Sequence, residues 1–180
     1  MKRTSDFDKT KLISISSKYS VVDFYVDSFP IEKVKLRLAT YGQSSDFIDI
    51  YIEFSDFLVL AHDIRTGKFF QDLTNNPQGK VITRGGSAKP GTQPESRILS
   101  ASISQNGMFL NATLGPGRTN DTGLIMPNGE PTKKIGVPMS FDQCKKLFIY
   151  GEKAIEAYMP KIVVPMVDFA QQRFQNQYNS

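Results

Sequence analysis

A chain of 180 residues with 39% hydrophobic and 22% charged residues is long enough to close one core without disulfides or metals. Its mean hydropathy of −0.30 is that of a globular protein, not of a disordered segment or a membrane span. Lys and Arg outnumber Asp and Glu by 22 to 18, a net charge of +4 whose sign suits a polyanion and whose size also suits a neutral partner. A single cysteine, Cys144, and a single histidine, His62, exclude a disulfide framework and a Cys/His zinc site. No apolar run approaches the roughly 20 residues of a membrane helix. The stretch MKRTSDFDKTKLISISS has basic residues with no apolar segment behind them, so a secretory leader is not expected. A cytoplasmic location and no membrane partner are the expectation.

Residues 1–17 are polar and mixed in charge and read as a mobile arm, although Leu12, Ile13 and Ile15 are spaced to pair at a sheet edge. KYSVVDFYVDSF (18–29) alternates, with Val22, Phe24 and Val26 on one face and Val21, Asp23, Tyr25 and Asp27 on the other, as a half-buried strand does. KVKLRLATYG (33–42) alternates more strictly, Val34, Leu36 and Leu38 against Lys33, Lys35 and Arg37, with Tyr41 further along the charged face. After a turn at Gly42, Gln43, Ser44 and Ser45, DFIDIYIEF (46–54) sets Ile48, Ile50 and Ile52 against Asp49, Tyr51 and Glu53. Ser55 offers an N-cap for a helix whose Phe57, Leu60, Ala61 and Ile64 share one face, with Gly67 a weak point inside it.

Residues 74–96 are rich in Pro and Gly and read as a linker around a short strand, Lys80 to Arg84. RILSASISQNGMFLNATLG then gives two alternating runs joined at Gln105, Asn106 and Gly107, a strong hairpin signal. Its inward sets are Leu99, Ala101 and Ile103, then Met108, Leu110, Ala112 and Leu114. Residues 115–134 look like a long exposed hairpin tip, after which Ile135, Val137 and Met139 resume the alternation and Pro138 argues for an edge strand. Ser140 with Gln143 forms a capping box, and Cys144, Leu147, Phe148, Gly151, Ile155 and Tyr158 make one helical stripe. In the tail, 160–180, Pro160 and Pro165 end the helix. Phe169, Phe174 and Tyr178 are anchors for a partner subunit or another protein if the segment is not simply frayed.

The segment IDIYIEFS (48–55) matches KIGVPMS (134–140) in pattern: Ile50 with Ile135, Ile52 with Val137, Phe54 with Met139 and Ser55 with Ser140, at a constant offset of 85. Each leads into a helix. The sequence therefore reads as an α+β chain, a tandem β-β-β-β-α repeat with units of about 18–73 and 80–159 forming one domain over 18–159. Charge is not shared evenly. Residues 1–79 hold 10 cations against 11 acids, 80–134 hold 7 against 3, and 135–180 hold 5 against 4.

With its basic strand face, this repeat resembles the single-stranded-DNA-binding family of the Whirly proteins, the coactivator positive cofactor four and compact phage or mobile-element relatives. The closest local match is a long basic hairpin followed by KKIGVPMSFDQCKKL. The resemblance implies two curved antiparallel sheets packed with two helices between them and an outer sheet face that binds single-stranded DNA, or RNA, through Lys, Arg and aromatics. It also implies a homo-oligomer, in the first instance a dimer, and a sequence-tolerant role in replication, recombination or transfer, without cofactor or catalysis. The plant Lys-Gly-Lys-Ala motif does not occur.

Lys33, Lys35 and Arg37 stand on alternate residues about 7 Å apart, a spacing that follows the phosphates of an extended strand, and Tyr41 at the end can stack a base. A solvated outer sheet face explains the same pattern. In the second unit Phe109 and Asn111 lie outward among Ser100, Ser102, Ser104 and Thr113, either as a base-stacking groove or as a plain polar sheet. Arg84, Lys89, Arg97, Arg118, Lys133 and Lys134 flank flexible segments where cations close over a strand or are simply solvated. No nucleophile motif surrounds Cys144 or His62, no phosphate loop is complete, and no carboxylates have metal-ligand spacing. The alternative to nucleic-acid binding is a phage or plasmid structural or assembly protein.

Overall fold

The alternation along 18–53 becomes an antiparallel meander. In the computed structural model, which describes residues 9–42, 45–76 and 78–178, the first sheet runs in the order β1 (Lys11–Ser16), β2 (Ser20–Tyr25), β3 (Lys33–Thr40) and β4 (Phe47–Glu53). Two helices follow, α1 (Phe54–Thr66) and α2 (Lys68–Asn75). The second sheet comprises β5 (Lys80–Ser87), β6 (Glu95–Ser104), β7 (Gly107–Thr119), β8 (Ile125–Pro127) and β9 (Lys133–Met139). Long β7 pairs with β6 along one edge, and with β9 and then β8 along the other. The chain ends in α3 (Phe141–Tyr158) and α4 (Pro160–Tyr178). The fold is thus α+β with two curved antiparallel sheets. Bulges between Lys11 and Ile13 and between Val81 and Thr83 add to the curvature.

Inner faces of both sheets and the stripes of α1 and α3 enclose one core. Val22, Phe24, Leu36 and Ile50 come from the first sheet, and Leu99, Leu110 and Val137 from the second. Phe57 of α1 and Phe148 of α3 stack at 5.1 Å between ring centroids, and Phe24 meets Phe57 edge-on at 5.5 Å. Among the described residues no helix is long and apolar enough to cross a membrane.

Several local expectations change. Residues 11–16 of the expected arm form edge strand β1, with Ile15 buried. The first eight residues of that arm, and Gln43 and Ser44 of the expected turn, lie outside the described residues. Helix α1 starts at Phe54 behind Glu53, not behind Ser55, and it ends at Gly67, whose φ of 85° turns the chain before α2. Ile103, expected inside, is exposed at the end of β6 because the core stops short of it. Pro160 and Pro165 do not end helical structure: Pro160 opens α4, where its missing N–H has no intrahelical acceptor anyway, and Pro165 lies within it. The expected capping box is present, Ser140 Oγ accepting from Gln143 N at 3.1 Å and Gln143 Oε1 accepting from Ser140 N at 2.8 Å. Ser140→Ala is expected to lower stability by about 1 kcal/mol in urea titration, with an unchanged m-value.

Candidate nucleic-acid interface

Lys33, Lys35 and Arg37 do share the outer face of β3, but each is paired with a carboxylate of its own sheet or the adjoining turn. Lys33 meets Glu53 at 2.9 Å, Lys35 meets Asp27, and Arg37 forks onto Asp49 with Nε and Nη2 at 2.7 and 2.8 Å. That fork also holds the Arg37 guanidinium above its ordinary pKa. Tyr25 and Asp23 on the same face of β2 are buried, and Lys35 is only 4% exposed with its ammonium 4.6 Å from the Tyr25 ring centroid. Burial, then the Asp23 charge, raises the Tyr25 pKa. Half of β3's outer face is therefore an ion-paired second layer. Tyr41 stays 52% exposed, its hydroxyl 3.1 Å from Ser16 Oγ at the far end of the sheet.

The convergence of cations lies elsewhere, where the second sheet outruns the core. Arg97 and Lys133 are both opposite Leu114, so they continue the face that carries Leu99, Ala112 and Ile135, two residues further along. There that face meets the free edge of β4. Arg97 Nη1 donates to the Asp49 carbonyl at 3.4 Å and Nη2 pairs with Glu95 at 3.3 Å. Lys133 pairs with Asp46, holding that carboxyl below its ordinary pKa. A cleft results in two adjoining parts that share Tyr51 and Arg97. One, of about 290 Å³, is lined by Lys33, Glu53, Asp56, Thr83 and Arg84. The other, of about 320 Å³, reaches Phe47, Glu95 and Lys133. Phe47 and Tyr51 are 51% and 42% exposed, and one face of Phe47 carries the Arg37 guanidinium at 4.3 Å.

On the opposite face of the second sheet, Ser100, Ser102, Asn111, Thr113 and Lys134 line a shallow depression of about 310 Å³ with Gln78 and Gly136. Asn111 Nδ2 donates to Ser102 Oγ at 3.1 Å. Its Oδ1 lies 2.9 Å from where a Cβ on Gly136 would stand, so glycine there gives the amide its room. Phe109, at the rim opposite Pro138, is 36% exposed. Lys89 sits in the loop between β5 and β6, and Arg118 is exposed near the end of β7. Among the described residues Arg84, Lys89, Arg118 and Lys134 have no carboxylate within ion-pair distance.

Lys33, Arg84, Arg97 and Lys133 thus come together, Asn111 and Lys134 share a second surface beside Phe109, and Tyr41, Lys89 and Arg118 stand apart. Tyr51 and Phe47 were not among the residues singled out from sequence. The usable signal was an outward aromatic on the strand beside the basic one. Cys144 is buried and its thiol is pushed up to about 12 by desolvation, so it packs and does not react. His62 is exposed on α1, beside Arg65. Among the described residues no cluster of His, Cys, Asp or Glu is arranged to hold a metal ion. No protein-family model matches the chain, and none of the curated proteins matches its sequence.

Proposed function

We propose that this chain binds single-stranded nucleic acid, DNA in the first instance, with little sequence choice and without catalysing a reaction, and that the strand passes through the cleft beside β4. The observation that carries this reading is the meeting of Lys33, Arg84, Arg97 and Lys133 around two half-exposed rings, Tyr51 and Phe47. Cations that follow a backbone and aromatics that stack bases are the two parts of a sequence-tolerant single-strand site. Support also comes from element order: four strands then two helices, followed by the same again with β8 inserted, resembles the order expected of a Whirly-like tandem repeat. Such a protein acts in replication, recombination or transfer of a phage or mobile element. Glu53, Asp56 and Glu95 in the same cleft oppose phosphate, so binding relies on exchanging internal ion pairs for phosphate contacts, which release counterions from the strand and make it salt-dependent.

Fluorescence anisotropy of labelled oligo-dT, from low to physiological salt, tests this. The expected result is binding that duplex DNA does not compete away, with a log–log salt slope of about −0.7 per phosphate contacted. Arg84→Glu combined with Arg97→Glu is expected to weaken binding at least tenfold (roughly 1.4 kcal/mol) for all sequences alike and to flatten the slope, with a small drop in melting temperature as Arg97 gives up its bonds to Glu95 and the Asp49 carbonyl. No binding at low salt overturns the reading. It then favours a structural or assembly protein, a reading to which the exposed apolar side chains of α4 point.

A further inference from the structure

The turn joining β7 to β8 reaches the cleft beside β4. Leu124, at the end of that turn, lines the 290 Å³ part together with Lys33, Tyr51, Arg84 and Arg97, and it is 62% exposed among walls that are mostly charged. A single exposed leucine is ordinary on a protein surface. What sets this one apart is how firmly it is held. Asn120 fixes both backbone groups of Leu124: its N–H donates to the Leu124 carbonyl at 2.9 Å, and its Oδ1 accepts from Leu124 N at 2.8 Å. The same Oδ1 accepts from Thr122 N at 3.1 Å and from Thr122 Oγ1 at 2.8 Å. Ile125, the next residue, seats the turn on the second sheet. Its Cγ2 lies 2.8 Å and 2.7 Å from where Cβ atoms on Gly86 and Gly117 would stand, so a side chain at either glycine would lift it. A leucine clamped on both sides in this way gives up little conformational freedom when a ligand settles against it.

Tyr51 is the matching surface. Phe47 already carries the Arg37 guanidinium on one face, whereas among the described residues no cation and no other ring lies against Tyr51, which is 42% exposed. The cleft therefore offers two apolar surfaces set among cations. A ligand that uses all of them has a flat apolar body with negative charge attached close beside it. An unpaired nucleobase on its phosphate has both parts. A base inside a duplex does not, because both of its faces are covered by its neighbours, and a bare polyanion would satisfy the cations while leaving Leu124 and Tyr51 in water. Apolar side chains pushed between bases are a general means of parting a stack.

We propose that Leu124 and Tyr51 form a slot for one unpaired base, and that this slot makes the cleft prefer a single strand to a duplex or to a bare chain of phosphates. The inference rests on the nucleic-acid reading above, and two probes separate the one from the other: labelled oligo-dT, and an abasic oligomer of the same length that keeps the phosphates and lacks the bases. In fluorescence anisotropy the native chain is expected to hold oligo-dT about tenfold or more tighter than the abasic oligomer. Leu124→Ala is expected to lose about fivefold or more on oligo-dT, with abasic affinity, salt slope and melting temperature unchanged, and Leu124→Met to keep the native preference. Adding Tyr51→Ala to Leu124→Ala is expected to cost little beyond the larger single loss, since the two walls act together. Equal binding of the two oligomers by the native chain overturns the slot and leaves the nucleic-acid reading standing. So does a Leu124→Ala protein that holds oligo-dT as the native chain does, or that loses both oligomers alike. No binding of either oligomer at low salt overturns both.

Discussion

Replacing Gly151 by Ala is expected to lower the melting temperature by about 4–8 °C, although in an ordinary exposed helix the same change stabilises by about 1 kcal/mol. The reason is what lies over the helix. A Cβ at Gly151 would stand 2.5 Å from Phe24 Cε2 and from Phe57 Cζ, and 2.7 Å from Phe57 Cε1. Neither ring is free to give way: both have no exposed surface, they meet edge to face, and Phe57 is stacked on Phe148 of the same helix as Gly151. Moving them transmits strain to both sheets, and overpacking of this kind costs about 1–3 kcal/mol, here toward the upper end because two rings are displaced. After the gain in helix propensity the net loss is about 2 kcal/mol. Differential scanning calorimetry is the check. A variant as stable as the native chain would mean that α3 stands further from the sheet than this packing has it.

How far the fold was legible follows from the range over which each signal acts. Alternation with period two is local, so Val34, Leu36 and Leu38, and Ile135, Val137 and Met139, were assignable to the core without knowing what they would meet. The Ser140 capping box is equally local. Strand β1 was harder, because it follows a polar run and its alternation is interrupted where Leu12 adjoins Ile13, at the point where the register shifts. The site was least legible of all. Lys33 and Lys133 are a hundred residues apart in sequence, and nothing near either signals that the second sheet will overshoot the core and turn an inner face into a cleft wall. The basic stripe of β3 is legible in the opposite sense, in its cations but not in their pairing. Its cations are local and visible in the sequence, whereas their partners depend on register, which places Asp49 straight across from Arg37.

That register makes Arg37 the second position where a large effect is expected, and the effect is on stability and not on binding. Asp23 of β2 and Asp49 of β4 flank Arg37 on directly opposed positions, so Arg37→Glu would set three carboxylates in a row across the sheet. Like charges in that relation repel, and the two bonds of the fork are lost with nothing to replace them. Breaking a fully buried pair costs about 3–5 kcal/mol. Arg37 and Asp49 side chains are 20% and 16% exposed, so solvent screening brings the expectation to about 3 kcal/mol, or roughly 6–12 °C in melting temperature. Arg37→Met, which keeps the stem against Tyr25 and Phe47 and adds no charge, is expected to lose less. Measured below its melting temperature, the Arg37→Glu protein is expected to hold oligo-dT within about threefold of the native affinity, while the Arg84 and Arg97 pair of substitutions loses binding and keeps most of its stability. If Arg37→Glu were instead to keep its stability and lose the single strand, the fork to Asp49 would have to open in solution and β3 would be the phosphate track. The two measurements on the two variants therefore separate a cation that holds the sheet together from one that is available to a ligand, a distinction that alternate spacing along a strand does not make.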